Sequence, residues 1–237
     1  MNTKMKVILM MVVSMVMMDA SVAEDTNSVY DPCSDTKIQK SDGFTFGIAF
    51  STKESFFFNQ TQLSPCDTRL SLSSINAQLA VFRPKVDEIS LLTINNTFST
   101  NTYMVAFAGR KYAARSPPAL VADGTHIITS FTLILEFQKG TLQNLFWKRD
   151  GCDSCSGKSS FVCLNQQDCA IKASSCKSQG GSEDCSSLGI QLAFSGTDKN
   201  DEVLNSWYEV KNLRQYSLFG LYSNLRDSIT NQFNDLF

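Results

Sequence analysis

The chain has 237 residues, and its 21 basic and 23 acidic side chains give a formal net charge of −2. This balance excludes a general nucleic-acid binder, because such proteins neutralise phosphates with a basic face. After residue 23 no stretch is apolar over a membrane-spanning length, so no transmembrane anchor is expected beyond the first segment.

The first 23 residues have the order of a secretory signal peptide. Lys4 and Lys6 precede an apolar run from Val7 to Met18, and small residues follow up to Ala23. This order predicts cleavage after Ala23, with a retained signal anchor as the alternative. The C-terminal residues carry neither a hydrophobic tail nor a retention signal. We therefore expect a secreted protein in which residues 24–237 form a single β-rich domain, with a cysteine-rich insertion at 150–187.

The cysteines predict disulfides. Six of the eight lie between Cys152 and Cys185, among polar residues too poor in apolar side chains to bury a core. An even number of cysteines in an oxidising compartment favours pairing. The predicted disulfide residues are Cys33, Cys66, Cys152, Cys155, Cys163, Cys169, Cys176 and Cys185. Cys33 with Cys66 is the candidate pair outside the cluster, whereas six clustered cysteines allow fifteen connectivities.

Neither a metal nor a redox cofactor is expected at the C-x-x-C of Cys152 and Cys155. A redox dithiol needs a βαβ context with the first cysteine at a helix N-terminus. Zinc needs a second cysteine pair or nearby histidines, and the sequence offers neither. Secretion would also make two sequons usable, at Asn59-Gln60-Thr61 and at Asn95-Asn96-Thr97.

Apolar residues alternate in many short runs, which predicts strands. The clearest runs are Phe44–Phe50, Ala77–Val81, Ile89–Thr93, Tyr103–Phe107, Ile127–Phe137 and Leu188–Phe194. The Ile127–Phe137 run is apolar on both faces, which predicts one long central strand. Trp207–Val210 and Tyr216–Leu221 are expected to be the last strands, and apolar residues spaced by three and four from Leu221 to Leu236 predict a short C-terminal helix. The expected fold is an all-β antiparallel β-sandwich with a disulfide-rich insertion, and a closed barrel is the alternative.

Catalytic candidates are few. His126 is the single histidine, so a Ser-His-Asp or Cys-His group would have to use it. Glycoside hydrolysis needs only two facing carboxylates, for which Asp87 with Glu88 and the group Asp198, Asp201 and Glu202 are available. Asp87 and Glu88 are adjacent and would point to opposite faces of a strand. The second group is more typical of a solvated turn.

Two sets of residues are candidates for carbohydrate contact. Arg110, Lys111 and Arg115, with Tyr112, could bind an acidic polysaccharide, although charges near a strand end more often protect the sheet edge. Four further aromatic residues could form a sugar platform, but core packing is the commoner role for such residues. They are Trp147, Trp207, Tyr208 and Tyr216.

One block resembles a known family. The cysteine segment followed by Leu188–Asp198, Leu204–Val210 and Gln215–Tyr222 resembles a family of secreted, cysteine-rich plant proteins of uncharacterised function. The resemblance implies an extracellular (apoplastic) or secretory-pathway protein, and it assigns no catalytic or binding residue.

Together these features favour a non-enzymatic extracellular or cell-wall-associated module that binds a polysaccharide or a protein partner. A structural extracellular protein without a ligand and a carbohydrate-active enzyme that uses carboxylates are the alternatives. No nucleic-acid partner and no cofactor are expected.

Overall fold

The computed structural model describes residues 24–70, 72, 77–95, 101–110, 115–149, 151–152, 155 and 159–214, with side chains to residue 210. Within these residues the chain is mostly β-strand. In chain order the strands are β1 Phe46–Ser51, β2 Phe57–Phe58, β3 Thr61–Gln62, β4 Gln78–Phe82, β5 Ser90–Asn95, β6 Thr102–Phe107 and β7 Ala119–Ala122. They continue with β8 His126–Ile127, β9 Ser130–Gln138, β10 Thr141–Lys148, β11 Phe161–Leu164, β12 Asp168–Lys172, β13 Ser187–Thr197 and β14 Val203–Leu204. The α-helix α1 spans Ser206–Arg214, and short 3-10 turns lie at Lys53–Phe56, Thr68–Leu70, Ala173–Ser175 and Lys177–Gln179.

Two sheets form the body of the protein. The first has the order β11-β12-β8-β7-β6-β1-β4, and the second has the order β10-β9-β13-β14 with β5 also paired to β13. Strands β2 and β3 form a separate hairpin. One apolar core contains buried residues of both sheets, among them Phe46 and Ile48 of β1 and Leu133 and Leu135 of β9. This arrangement confirms the predicted all-β sandwich with a disulfide-rich insertion, and a short helix follows towards the C-terminus.

The predicted long strand over Ile127–Phe137 is wrong as a single element. Its first residues, His126–Ile127, form β8 in the first sheet, and Ser130–Gln138 form β9 in the second. The backbone N–H of Ile128 donates to the carbonyl of Val121 at 2.8 Å, while the carbonyl of Thr129 accepts from the N–H of Gly189 at 2.7 Å. The chain therefore changes sheets between these two residues. The expected central position holds for β9, which lies between β10 and β13.

Strand β13 runs parallel to β9, which is an exception to the antiparallel pattern. The parallel register extends from Gly189 opposite Ser130 to Gly196 opposite Phe137. Parallel neighbours need a long connection between them. Here β10 and the cysteine-rich segment supply that connection.

Two strands present a different face to the core than the period-two pattern indicates. Leu79 and Val81 of β4 are 61% and 56% exposed, and Leu91 of β5 is 59% exposed. Ala80 and Phe82, together with Leu92 and Ile94, pack against the core instead. The period is correct but the inward face is the opposite one, because both faces of these strands carry apolar residues.

The cysteine-rich segment is less isolated than its composition indicates. Strands β11 and β12 form a hairpin that extends the first sheet, through the pairing of Ile171 with Ile127 and of Lys172 with His126. Ala170 and Ile171 are buried. The disulfides are Cys33–Cys66, Cys152–Cys163, Cys155–Cys169 and Cys176–Cys185, so all eight cysteines are paired.

The predicted strand at Trp207–Val210 is wrong, since these residues lie in α1. The helix begins where Asp87, distant in sequence, accepts hydrogen bonds from the backbone N–H groups of Asn205 (2.6 Å) and Ser206 (2.8 Å). Such capping satisfies donors that the first turn leaves unpaired. The strand expected at Tyr216–Leu221 and the helix expected at Leu221–Leu236 lie outside the described residues. Over the described part of the chain, no helix has the length and apolar character needed to cross a membrane.

Candidate functional site

A small cleft opens where the N-terminal segment crosses the ends of three strands. Its volume is about 270 Å³. The segment before β1 provides one wall, the residues after β6 provide a second, and the start of β10 provides a third. The lining residues are Ser34, Asp35, Thr36, Lys37, Phe44, Ala108, Gly109, Thr141 and Leu142.

The wall formed by residues 31–37 is ordered by its own hydrogen bonds. The Asp31 carboxylate accepts from the backbone N–H of Cys33 (2.9 Å) and from the hydroxyl of Ser34 (2.9 Å). These two hydrogen bonds, in that order, hold the pKa of Asp31 below its usual value. The Cys33–Cys66 disulfide ties the same turn to the chain beyond β3. The wall is therefore fixed before any ligand arrives, which lowers the entropy cost of binding.

Gly109 lets two walls of the cleft approach closely. Its φ is +70°, and its N–H donates to the carbonyl of Pro32 at 2.7 Å. A Cβ at this position would lie 2.4 Å from the Asp35 carboxylate, and a side chain there would also be strained by the positive φ. The next residue, Arg110, donates its backbone N–H to the same carboxylate at 3.0 Å. The position of Asp35 thus depends on a glycine 74 residues further along the chain.

The floor of the cleft is apolar and rigid. Phe44 and Ala108 are buried, and Leu142 packs against the core. The Phe44 ring contacts Phe137 edge-on, with 5.1 Å between ring centroids. A backbone hydrogen bond of 2.9 Å from Ile38 to Gly140 closes the wall against the start of β10.

The rim of the cleft consists of hydrogen-bonding side chains around this apolar floor, and one of them is acidic and one is basic. Asp35 provides a carboxylate, Lys37 an ammonium group, and Ser34 and Thr141 hydroxyls. Among the described residues Lys37 has no ion-pair partner within 4.0 Å. Polar groups converging on an apolar floor are typical of small-ligand sites, whose volumes usually run from roughly 300 to 1,000 Å³. At the lower limit of that range, the cleft suits one small polar ring better than an extended ligand.

The predicted polyanion contact falls beside this cleft. Arg110 is exposed, but its Nε donates to the carbonyl of Cys33 at 3.3 Å, and its charge also acts on Asp31. Arg115 is half-buried and pairs through its backbone with Phe107. Lys111 lies outside the described residues. Because Arg110 is committed to the 31–35 turn, less of its charge is available to an external polyanion.

Asp87 and Asp198, one from each acidic group considered for glycoside hydrolysis, both contact Lys40. These contacts stabilise the fold. The Lys40 ammonium lies 2.8 Å from Asp87, whose side chain is 2% exposed. This contact raises the pKa of Lys40. The backbone N–H of Lys40 donates to Asp198 at 2.9 Å. Asp87 therefore joins the N-terminal segment to the start of α1, where a substrate cannot reach its carboxylate.

The Asp198 carboxylate is likewise held by hydrogen bonds within the fold. It is fully buried, and it accepts hydrogen bonds from the backbone N–H groups of Asn200 (2.7 Å) and Glu202 (2.9 Å) in addition to that of Lys40. Burial alone would raise its pKa, but the hydrogen bonds from Lys40, Glu202 and Asn200 outweigh burial and lower it. A carboxyl group that stays ionised cannot serve as the general acid of a glycosidase. Asp201 and Glu202 are exposed in the same turn.

His126 is the first residue of β8 and is held by hydrogen bonds to the turn that precedes it. Its backbone N–H donates to Asp123 at 2.7 Å, and its ring Nδ1 lies 3.2 Å from the other oxygen of that carboxylate and 2.9 Å from the Thr125 hydroxyl. No cysteine is free to act as its nucleophile. Within the described ranges no group of three or more His, Cys, Asp or Glu residues could hold a metal ion.

The aromatic candidates that the structure describes do not line the cleft. Trp147 is 8% exposed, packs against Phe131 and donates its indole N–H to the carbonyl of Pro117 at 3.1 Å. Trp207 and Tyr208 lie on α1, and Tyr216 is outside the described residues. Trp147 therefore has the core-packing role that its residue type favours.

The cleft residues Ser34, Asp35 and Lys37 were not predicted from the sequence. The turn signal Asp31-Pro32-Cys33 marks the region, but the hydrogen bonds that build the cleft join residues far apart in the chain. A local sequence pattern does not predict such long-range contacts.

The sandwich and its four disulfides define a disulfide-rich β-sheet protein, and the described residues form a small cleft with an apolar floor and polar side chains around it. A family model with the description "Uncharacterised protein DDB_G0273449" matches residues 1–127 and 120–233, and the chain belongs to this family. The family is named after a Dictyostelium protein, so the predicted membership of a plant family is wrong. The plant apoplast was implied by that resemblance and has no support without it. Neither the curated proteins nor the solved structures contain a match to the chain.

Proposed function

We propose that this protein is a secreted module that binds a glycan outside the cell, with one sugar ring seated in the cleft beside Asp35 and Lys37. The observation that carries the proposal is the combination of an apolar floor with hydrogen-bonding side chains around it. A pyranose ring has apolar C–H faces and a rim of hydroxyl groups, so it matches both parts of the cleft. Buried polar groups of a ligand must be paired, and the rim supplies donors and acceptors for that purpose.

The charges of the rim favour a neutral sugar. Asp35 and Lys37 balance each other, and Arg110 is held by the 31–35 turn. An acidic polysaccharide would place its carboxylates near Asp31 and Asp35, which repel it. Contact of a polyanion with Arg110, Lys111 and Arg115 remains a prediction, and acidic glycans belong in the same test.

The proposed compartment is supported by the disulfides. Four bridges suggest an oxidising environment, such as the secretory pathway or the extracellular space. Cleavage after Ala23 would leave Glu24 as the first residue, directly before Asp25, which forms an ion pair with Arg83 at 2.7 Å. Secretion from a eukaryotic host followed by N-terminal sequencing tests this proposal. A product that starts at Glu24 supports it, and retention in the cell with residues 1–23 attached contradicts it.

The binding proposal is tested on a glycan array that includes neutral and acidic sugars. The protein is compared with D35N and K37A, and with E136Q and K148A as matched controls on exposed positions of β9 and β10. A hydrogen bond to a charged group contributes about 1.5–3 kcal/mol, so each cleft variant should weaken binding by roughly 10- to 150-fold. The controls should bind as the unchanged protein does. Equal losses in cleft variants and controls, or no bound glycan, would contradict the proposal.

An extracellular protein partner is the second candidate, and the edge strand β4 favours it. Gln78–Phe82 carries no charge, lies at the end of its sheet beside β1 among the described strands, and exposes Leu79 and Val81. Uncharged edge strands can accept a further strand from another chain. Substitution of Val81 by Lys should abolish capture of such a partner while leaving glycan binding unchanged.

A further inference from the structure

The hairpin of β2 and β3 presents Asn59 in an unusual setting. Phe58 and Thr61 are directly paired, so Asn59 and Gln60 form a two-residue turn. Both have positive φ, +47° and +66°, which identifies a type I′ turn. Asn59, Gln60 and Thr61 are all exposed, so the complete Asn-x-Thr sequon lies at an accessible hairpin tip.

The neighbouring Phe58 leaves an apolar ring uncovered. Its side chain is 41% exposed. The Arg69 guanidinium lies over the ring, 5.6 Å from its centroid. It is held there by a bidentate ion pair, in which Nε and Nη2 of Arg69 donate to the two carboxylate oxygens of Asp67 at 2.9 and 2.7 Å. One face of Phe58 is therefore already occupied, and its position is restrained. The remaining exposed area has no covering group among the described residues.

We propose that Asn59 carries an N-linked glycan whose first sugar packs on the uncovered surface of Phe58 and stabilises the hairpin. Phe58 immediately precedes Asn59, and cross-strand pairing places the Thr61 side chain on the same face as Phe58. The C–H groups of a sugar linked to Asn59 thus meet an aromatic surface within one residue of the attachment point. Stacking of this kind removes apolar area from water without exposing a polar group.

This inference is independent of the cleft. The Asn59 turn belongs to the separate two-stranded sheet, and none of its residues lines the cleft. It requires only that the chain enters the secretory pathway. Failure of the array experiment would leave it untouched, and absence of sugar at Asn59 would leave the cleft proposal untouched.

The test uses the residue 24–237 chain secreted from a eukaryotic host, in an N95Q background that removes the other sequon. Glycopeptide mass spectrometry should find sugar at Asn59. The same sequence, produced without glycosylation and with its disulfides formed, serves as the reference. Trimming the glycan to its first sugar should preserve a melting temperature about 2–4 °C above that reference. This is the shift expected when one aromatic stacking contact stabilises a chain of this length.

The F58A variant separates stacking from simple attachment. With Phe58 replaced by Ala, sugar should still be found at Asn59, but the melting temperatures of the two forms should agree within about 1 °C. Unmodified Asn59 in the secreted protein would overturn the assignment of the site. An undiminished shift in F58A would overturn the stacking.

Discussion

The Cys33–Cys66 disulfide should contribute more to stability than any bridge in the cysteine-rich segment. It joins residues separated by 33 positions, and no other disulfide restrains the enclosed chain. The chain-entropy relation gives about 3.7 kcal/mol for a loop of this length. The Cys152–Cys163 bridge spans 11 positions, for which the same relation gives about 2.8 kcal/mol. Its loop overlaps that of Cys155–Cys169, which lowers its contribution further.

The assay is urea unfolding of C33A/C66A and C152A/C163A, each with its other disulfides formed, followed by circular dichroism. The free energy of unfolding is taken from the midpoint and slope of each transition. C33A/C66A should lose about 1 kcal/mol more than C152A/C163A. It should also bind glycan more weakly, because the disulfide orders the cleft wall at residues 33–37, whereas C152A/C163A should bind normally. An equal or smaller loss in C33A/C66A would refute this assignment.

Three further predictions concern the rest of the fold. Burial would raise the pKa of Asp123, but hydrogen bonds from Thr125 and His126 outweigh it and lower the pKa to about 2. The ionised carboxylate therefore stabilises the fold above pH 4, and this stabilisation is lost as the pH falls from about 4 to 2. D123N should melt lower than the unchanged protein at pH 7, and the difference should shrink across that window; a constant difference would contradict the assignment. Asp87→Ala removes the acceptor at the start of α1 and should lower the free energy of unfolding by about 1–2 kcal/mol in urea titrations, whereas the exposed E88A should change it little. Mild reduction should make residues 152–185 sensitive to protease first, because in the described part of this segment two residue pairs, Ile171 with Ile127 and Lys172 with His126, join it to the rest of the first sheet; cleavage spread evenly along the chain would contradict this.

The sequence predicted those strands in which apolar and polar residues alternate along the chain. Phe46–Ser51, Thr102–Phe107 and Ser187–Thr197 form strands where apolar residues recur every second position. The alternation failed to give the inward face where both faces are apolar, as at Leu79 and Leu91. It also could not show that the chain changes sheets at Ile128, because that step depends on hydrogen bonds with distant strands.

The helix α1 and the cleft depend on contacts that a local pattern does not contain. The start of α1 is capped by Asp87, which lies 118 positions before Asn205. Asp35 is positioned by Gly109 and Arg110. Charge, cysteine number and turn signals indicated a disulfide-rich β protein. The contacts of Asp87 with α1 and of Asp35 with Gly109 arise from tertiary packing, which these signals do not describe.

The proposed function requires that the cleft beside Asp35 and Lys37 binds a sugar. The most direct test is an amide chemical-shift titration of isotope-labelled residues 24–237, disulfides intact, with pools of mono- and disaccharides. One pool should shift the amide signals of Ser34–Lys37, Gly109 and Thr141 in a saturable way, and D35N should weaken this response. Saturable shifts confined to another surface, or no shifts with any pool, would contradict it.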